Sequence, residues 1–235
     1  MALWLHKRFP HHKEIQSGFR TAAGPARVLP PSGVAHGTQG AAIDWWLRFL
    51  LDPAPSLQLP LAGVQACHQD LAAWKPCLQL LASLGVISRD GRQRPMDPTR
   101  FSDRPDEWWA RVSYALALMV ELYRTSHLEG SRLMRLTAAS SPMDLLSLAN
   151  DAEVADLIAM KELALTHLLP ALPVGGRVST GMTFDGSEDL SADADLIADG
   201  VLADFKAGQG GSPARTAPAL RHSPALTSTS SWGMS

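Results

Sequence analysis

The most constraining pattern in this chain is Ser191-Ala-Asp-Ala-Asp-Leu-Ile-Ala-Asp-Gly-Val-Leu-Ala-Asp-Phe-Lys206. Two short runs of alternating apolar and acidic residues lie on either side of Asp199-Gly200. An Asp-Gly pair between alternating runs is a strong signal for a two-residue type I′ turn. The pattern therefore predicts a tight β-hairpin.

The predicted turn also fixes which residues of the hairpin lie opposite each other. Cross-strand partners share a face of a sheet, and alternate residues along each strand share it too. The opposed pairs are Ala198 with Val201, Ile197 with Leu202, Leu196 with Ala203, Asp195 with Asp204, and Asp193 with Lys206. All the charged members of these pairs fall on one face, whereas the other face carries Leu196, Ala203 and Phe205.

The acidic face of the hairpin needs a compensating cation. Opposed Cβ atoms are roughly 5 Å apart, and like charges at that separation destabilise a sheet, so Asp195 and Asp204 repel each other. Lys206 is one candidate for the cation. A divalent metal, Mg²⁺ or Mn²⁺, is the other, because Mg²⁺ is typically bound by one or two carboxylates together with water and substrate phosphate. The alternative is a solvated acidic face on which Lys206 pairs with Asp193 or Asp204.

This arrangement, an Asp on one strand and Asp-x-Lys on the next, resembles the PD-(D/E)XK nuclease superfamily. Asp204-Phe-Lys206-Ala-Gly208 is similar to the Asp-Tyr-Lys-Thr-Gly signature of its RecB-like members, and the resemblance covers about residues 175–208. It implies an α/β (α+β) fold, with a mainly helical N-terminal region followed by a small restriction-endonuclease-like β-sheet. It also implies a Mg²⁺-dependent nuclease that hydrolyses phosphodiester bonds, with DNA as a possible partner.

The same resemblance implies a role for each site residue. Asp195 and Asp204 would hold the metal, and Lys206 would position the attacking water or stabilise the transition state. In the superfamily a helix before the first strand often contributes a further acid, for which Glu162 is the first candidate and Glu153 the second. Both lie in a helix predicted over 151–169, where Asn150 is the N-cap and Glu153 completes a capping box.

Composition divides the chain into four parts. Residues 1–36 are predicted to form a flexible N-terminal arm, 37–172 a helical region, 173–207 the β-hairpin core with a first strand near 175–184, and 208–235 a disordered tail. A hydrophobic content of 46% is sufficient for a packed core, and a net charge of −2 argues against indiscriminate nucleic-acid binding, which depends on a strongly basic surface. Any DNA contact would come from a local patch.

Within the helical region, the sequence predicts four further stretches of helix besides 151–169. The first covers 38–51, and the second covers 63–84, where Pro76 implies a kink or two shorter helices. The third, 106–124, is apolar over most of its circumference and should be central to the core, with Glu121 at its rim. A fourth helix, 143–149, opens after Ser141 as N-cap and Pro142 at the first helical position.

Other polar and cysteine residues have simpler interpretations. Cys67 and Cys77 lack the spacing of a zinc site and are predicted to be small buried residues. The cluster of His6, His11 and His12 is interpreted as part of the polar arm rather than as a metal site. The sequence shows neither a signal peptide nor a run of about 20 apolar residues, which predicts a cytoplasmic protein without a membrane contact.

The chain departs from the superfamily pattern after Lys206. A helix and a fourth strand should follow there, whereas 208–235 shows no periodicity, so we expect a nuclease-like core that is truncated at the C-terminus. One permitted back-translation of 226–235, shifted by one frame, encodes Asp-Leu-Tyr-Gln-Leu-Leu-Gly-Tyr-Val. This string contains the Gln-x-x-x-Tyr pattern that RecB-like members carry in the helix after the Asp-x-Lys motif, which suggests a frameshift. The alternative function is therefore a non-catalytic nuclease-like scaffold or a helical protein-interaction module.

Overall fold

A computed structural model describes residues 34–52, 54–86, 103–172, 178–183, 193–198 and 201–203, together with positions 14, 17 and 21. Its helices are α1 (His36–Leu51), α2 (Gln58–Ala66), α3 (Trp74–Ser83), α4 (Asp106–Thr125), α5 (Pro142–Leu146) and α6 (Asp151–Leu163). A 3₁₀ turn, Arg132–Arg135, precedes α5, and α6 continues into a π-helical turn, Ala164–Leu168, and a 3₁₀ turn, Leu169–Ala171. The strands are β1 (Val178–Thr183), β2 (Asp193–Ala198) and β3 (Val201–Ala203).

Helix α4 is the centre of the helical region, as predicted. Residues 112–120 are all buried, so the helix is covered on every side, and α1, α2, α5 and α6 pack around it. Asp106 and Glu107 lie in its first turn and Arg124 in its last, which places each charge at the end of the helix dipole that favours it.

Helix α1 runs antiparallel to α4. The Thr38 hydroxyl at the start of α1 donates to Glu121 near the end of α4, and the ring of Phe49 lies 5.2 Å from the ring of Trp109 at the other end. Trp45, Trp46 and Leu47 bury the apolar face of α1 against the core. The half-buried position of Glu121 agrees with its predicted place at the rim.

The region around Pro76 forms two helices, as one of the predicted alternatives required, but Pro76 does not cause the break. The chain leaves α2 at Cys67 and enters α3 at Trp74, so Pro76 is the third residue of α3. A proline is tolerated in the first helical turn because the N–H it lacks would have no intrahelical partner there. Cys67 and Cys77 are buried free thiols, as predicted, and burial raises the pKa of Cys77 to about 12.

Capping boxes start both α5 and α6. The Ser141 hydroxyl accepts from Asp144 N and the Asp144 carboxylate accepts from Ser141 N, with Pro142 at the first helical position. Asn150 and Glu153 make the same reciprocal pair at the start of α6. Both predicted N-caps are confirmed, although the regular α-helix of α6 ends at Leu163 rather than near residue 169.

Replacing Ser141 with Ala should test the first of these caps. We expect the free energy of unfolding to fall by about 1 kcal/mol, because Asp144 N loses its acceptor. Urea denaturation measures the change. Ser147→Ala is the matched control, since the Ser147 hydroxyl only donates to the Met143 carbonyl and caps no N–H group. Equal losses in the two variants would contradict a specific capping role.

The predicted α/β fold class is wrong for the packed part of the molecule. Residues 34–52, 54–86 and 103–172 contain helices and turns but no β-strand, and this part of the chain is 70% helical. The main hydrophobic cluster is also helical, since its described side chains lie between Ala42 and Leu172. A restriction-endonuclease-like fold requires a sheet as the centre of the core, whereas here helix α4 has that place.

The three strands form a small antiparallel sheet in the order β1-β2-β3. Val178 of β1 pairs with Ala198 of β2, and Thr183 pairs with Asp193. Strand β1 also lies close to α1, which connects the sheet to the helical region. The sheet is thus an attachment to a helical core.

Candidate functional site

The β2–β3 hairpin has the register that its turn residues predict. Leu196 pairs with Ala203, Ile197 with Leu202, and Ala198 with Val201. Asp195 is the third residue of β2, whereas Asp204 and Lys206 lie outside the described residues. The opposition of Asp195 and Asp204, and the position of Lys206, therefore stay predictions.

Glu162, the first candidate for a further metal ligand, lies on the last turn of α6. One of its carboxylate oxygens is 2.7 Å from Lys161 Nζ, and the side chain is 58% exposed. Lys161 also donates to Asp106 at 2.9 Å and lies over the ring of Trp46, so the ammonium links α6 to α4. In the described part of the chain, no three His, Cys, Asp or Glu side chains are grouped so that they could hold a metal.

Glu153, the second candidate, is fully buried and its carboxylate is the hub of a polar cluster. Arg132 donates two hydrogen bonds to it, at 2.7 and 2.8 Å, and the Tyr114 hydroxyl donates a third at 2.9 Å. The backbone N–H groups of Asn150 and Ala35 donate to it at 2.9 and 3.4 Å. Hydrogen-bond donors of the protein surround both carboxylate oxygens. The carboxylate therefore connects several structural elements and is poorly suited to bind a metal.

Gln39 extends the Glu153 cluster to α1. Its side-chain amide donates to the Glu153 carbonyl at 2.7 Å and to the Asp156 carboxylate at 3.1 Å. Because these two acceptors fix the amide's orientation, Gln39 Oε1 points elsewhere, and it is buried with no hydrogen-bond partner among the described residues. The cluster thus joins α1, α4, the 3₁₀ turn and α6 around one buried residue, Glu153.

Sequence reasoning found only part of this cluster. The Asn150 and Glu153 pair follows from the capping-box pattern. Tyr114 offered a weaker signal, because a hydroxyl on a helix that is apolar all round needs a buried partner. The arginine that neutralises Glu153 lies 21 residues earlier in a turn, and no local pattern marks it.

Electrostatics favour the ionised form of Glu153. Burial raises the pKa of this carboxyl, but the hydrogen bonds from Arg132, Asn150 and Tyr114 together outweigh burial and hold the pKa below its usual 4.5. Burial raises the pKa of Tyr114, and the adjacent carboxylate raises it further. The hydrogen bond to Glu153 raises the pKa of Arg132, whose guanidinium also lies over the Tyr114 ring.

The lowered pKa of Glu153 predicts an acid-dependent loss of stability. In the folded protein this group's pKa lies below its unfolded value, so its contribution is complete above about pH 4.5 and is lost as the pH falls through the folded pKa. Melting temperatures between pH 2 and 7 should show the wild type and Glu153→Gln converging in acid. A difference that stays constant down to pH 2 would contradict this linkage.

Comparisons with protein families, with curated proteins and with solved structures gave no match to this chain. None of the helices in the described ranges is both long enough and apolar enough to cross a membrane. The resemblance to PD-(D/E)XK nucleases therefore depends on the hairpin motif alone.

Proposed function

We propose that the acidic face of the β2–β3 hairpin binds a divalent cation, Mg²⁺ or Mn²⁺, and that the chain hydrolyses phosphodiester bonds there. One observation carries the proposal, the antiparallel register from Ala198 and Val201 to Leu196 and Ala203. If that register continues by one pair, Asp195 lies opposite Asp204, and a cation would relieve their repulsion. The proposal does not require a restriction-endonuclease-like core.

Each residue of the motif has a distinct role in this proposal. Asp195 and Asp204 hold the cation, which when bound supplies an activated water and neutralises charge on a phosphate. Lys206 orients the water or stabilises the developing negative charge. Glu162 is a third ligand only if its carboxylate leaves Lys161, to which it now lies at 2.7 Å. DNA is the expected substrate, and the cytoplasm the expected location.

Calorimetric titration with Mg²⁺ and with Mn²⁺ tests the cation site. We expect saturable binding to the wild-type protein and none to the Asp195→Asn, Asp204→Asn double variant. The matched control is the Asp70→Asn, Glu129→Gln double variant, which removes two exposed acids from the helical region and should bind as the wild type does. Equal binding by the three proteins would assign the cation to another place, and no binding by any of them would refute the site.

Hydrolysis is tested separately, with labelled oligonucleotides in the presence of the cation. Asp195→Asn, Asp204→Asn and Lys206→Ala should each abolish cleavage, and an unchanged helical circular-dichroism spectrum would show that the fold persists. Lys206→Ala should retain cation binding, because the ammonium is not a ligand. Cleavage that survives in all three variants would refute the assignment of the catalytic residues.

The second candidate function is a non-catalytic helical module that binds a protein partner. The location of the core favours it, because the described core side chains all lie among the helices and the sheet is small. Melting temperature discriminates between the two functions. A metal-induced rise that disappears in Asp204→Asn supports the cation site, since a ligand stabilises the folded state that binds it. Absence of any metal effect supports the helical module.

A further inference from the structure

We draw no further inference here: the strongest candidate, the half-buried aromatic cluster of Phe49, Trp108 and Trp109 beside Arg104 at the end of the bundle where α1 ends and α4 begins, is bordered by the acids of the first turn of α4 as well as by this arginine, and nothing in the structure shows what covers it.

Discussion

Glu153→Ala is expected to lower the free energy of unfolding by roughly 3 kcal/mol or more, because removal of one partner of a buried ion pair typically costs 3–5 kcal/mol. The variant leaves the Arg132 guanidinium, the Tyr114 hydroxyl and Asn150 N without their common acceptor. The Arg132 side chain is 21% exposed to solvent, so water can partly replace the missing carboxylate. We therefore expect a loss near the lower end of that range.

Two further variants separate the charge of Glu153 from its shape. Glu153→Gln keeps the size of the side chain but presents an amide group to several donors, so we expect a substantial loss that is smaller than that of the alanine variant. Glu162→Ala is the matched control on the same helix. Its carboxylate is 58% exposed and bound to Lys161, and removal of a surface ion pair changes stability by about 0–1 kcal/mol.

Urea denaturation of the three variants gives the required free energies. Similar losses in Glu153→Ala and Glu162→Ala would contradict a central role for the buried cluster. A double-mutant cycle with Arg132→Met measures the coupling directly, since two residues in one hydrogen-bonded pair should show a non-additive effect. Strictly additive losses would mean that Glu153 acts mainly through its other donors, the Tyr114 hydroxyl and the backbone N–H groups of Asn150 and Ala35.

The sequence predicted local structure well because the signals are local. The Asp199-Gly200 turn specifies its own hairpin register, and Ser141 and Asn150 specify helix starts within three residues of chain. Helix α4 was predicted as central from its apolar circumference alone, since such a surface must be covered on every side.

The global prediction failed because the hairpin motif says nothing about the element at the centre of the core. A sheet of six, six and three residues has too little surface to organise the six described α-helices. The resemblance extended a local motif to a whole fold, although the strongest predicted helix of the chain lies in 106–124. Likewise, the partner of Glu153 could not be predicted, because Arg132 reaches it through tertiary packing rather than through a sequence spacing.

The candidate site also contains one part that the sequence predicts and one part that depends on tertiary packing. The pairing of β2 with β3 follows from the turn, so the position of Asp195 on the hairpin is as predicted. Glu162 was chosen by analogy with a helix that precedes a first strand, and the structure places its carboxylate on Lys161 instead. The resemblance to a family can suggest that an acidic residue is needed, but the partner that Glu162 contacts depends on how the helices pack.

Gly63→Ala is expected to lower the free energy of unfolding by about 2–3 kcal/mol, through the close crossing of α2 and α4. A Cβ at this position would lie 2.0 Å from the Met119 carbonyl oxygen and 2.9 Å from Tyr123 N. Both are backbone atoms of α4, so no side-chain rotation relieves the overlap and the two helices must separate. Overpacking of a core costs roughly 1–3 kcal/mol, and separation of the helices adds lost contacts around Met119.

Helix propensity and steric overlap predict opposite signs for the change in stability of Gly63→Ala. In an exposed helical position Ala is more stable than Gly by up to about 1 kcal/mol, so helix propensity alone predicts that Gly63→Ala stabilises the protein. Gly37→Ala is the matched control, because Gly37 lies in the first turn of α1 and, outside its own helix backbone and chain neighbours, no atom of the described residues would lie within 4 Å of a Cβ there. Thermal and urea denaturation should show Gly37→Ala as neutral to stabilising and Gly63→Ala as destabilising. If both variants stabilise the protein, propensity dominates and α2 does not pack against α4 as closely as the structure places it.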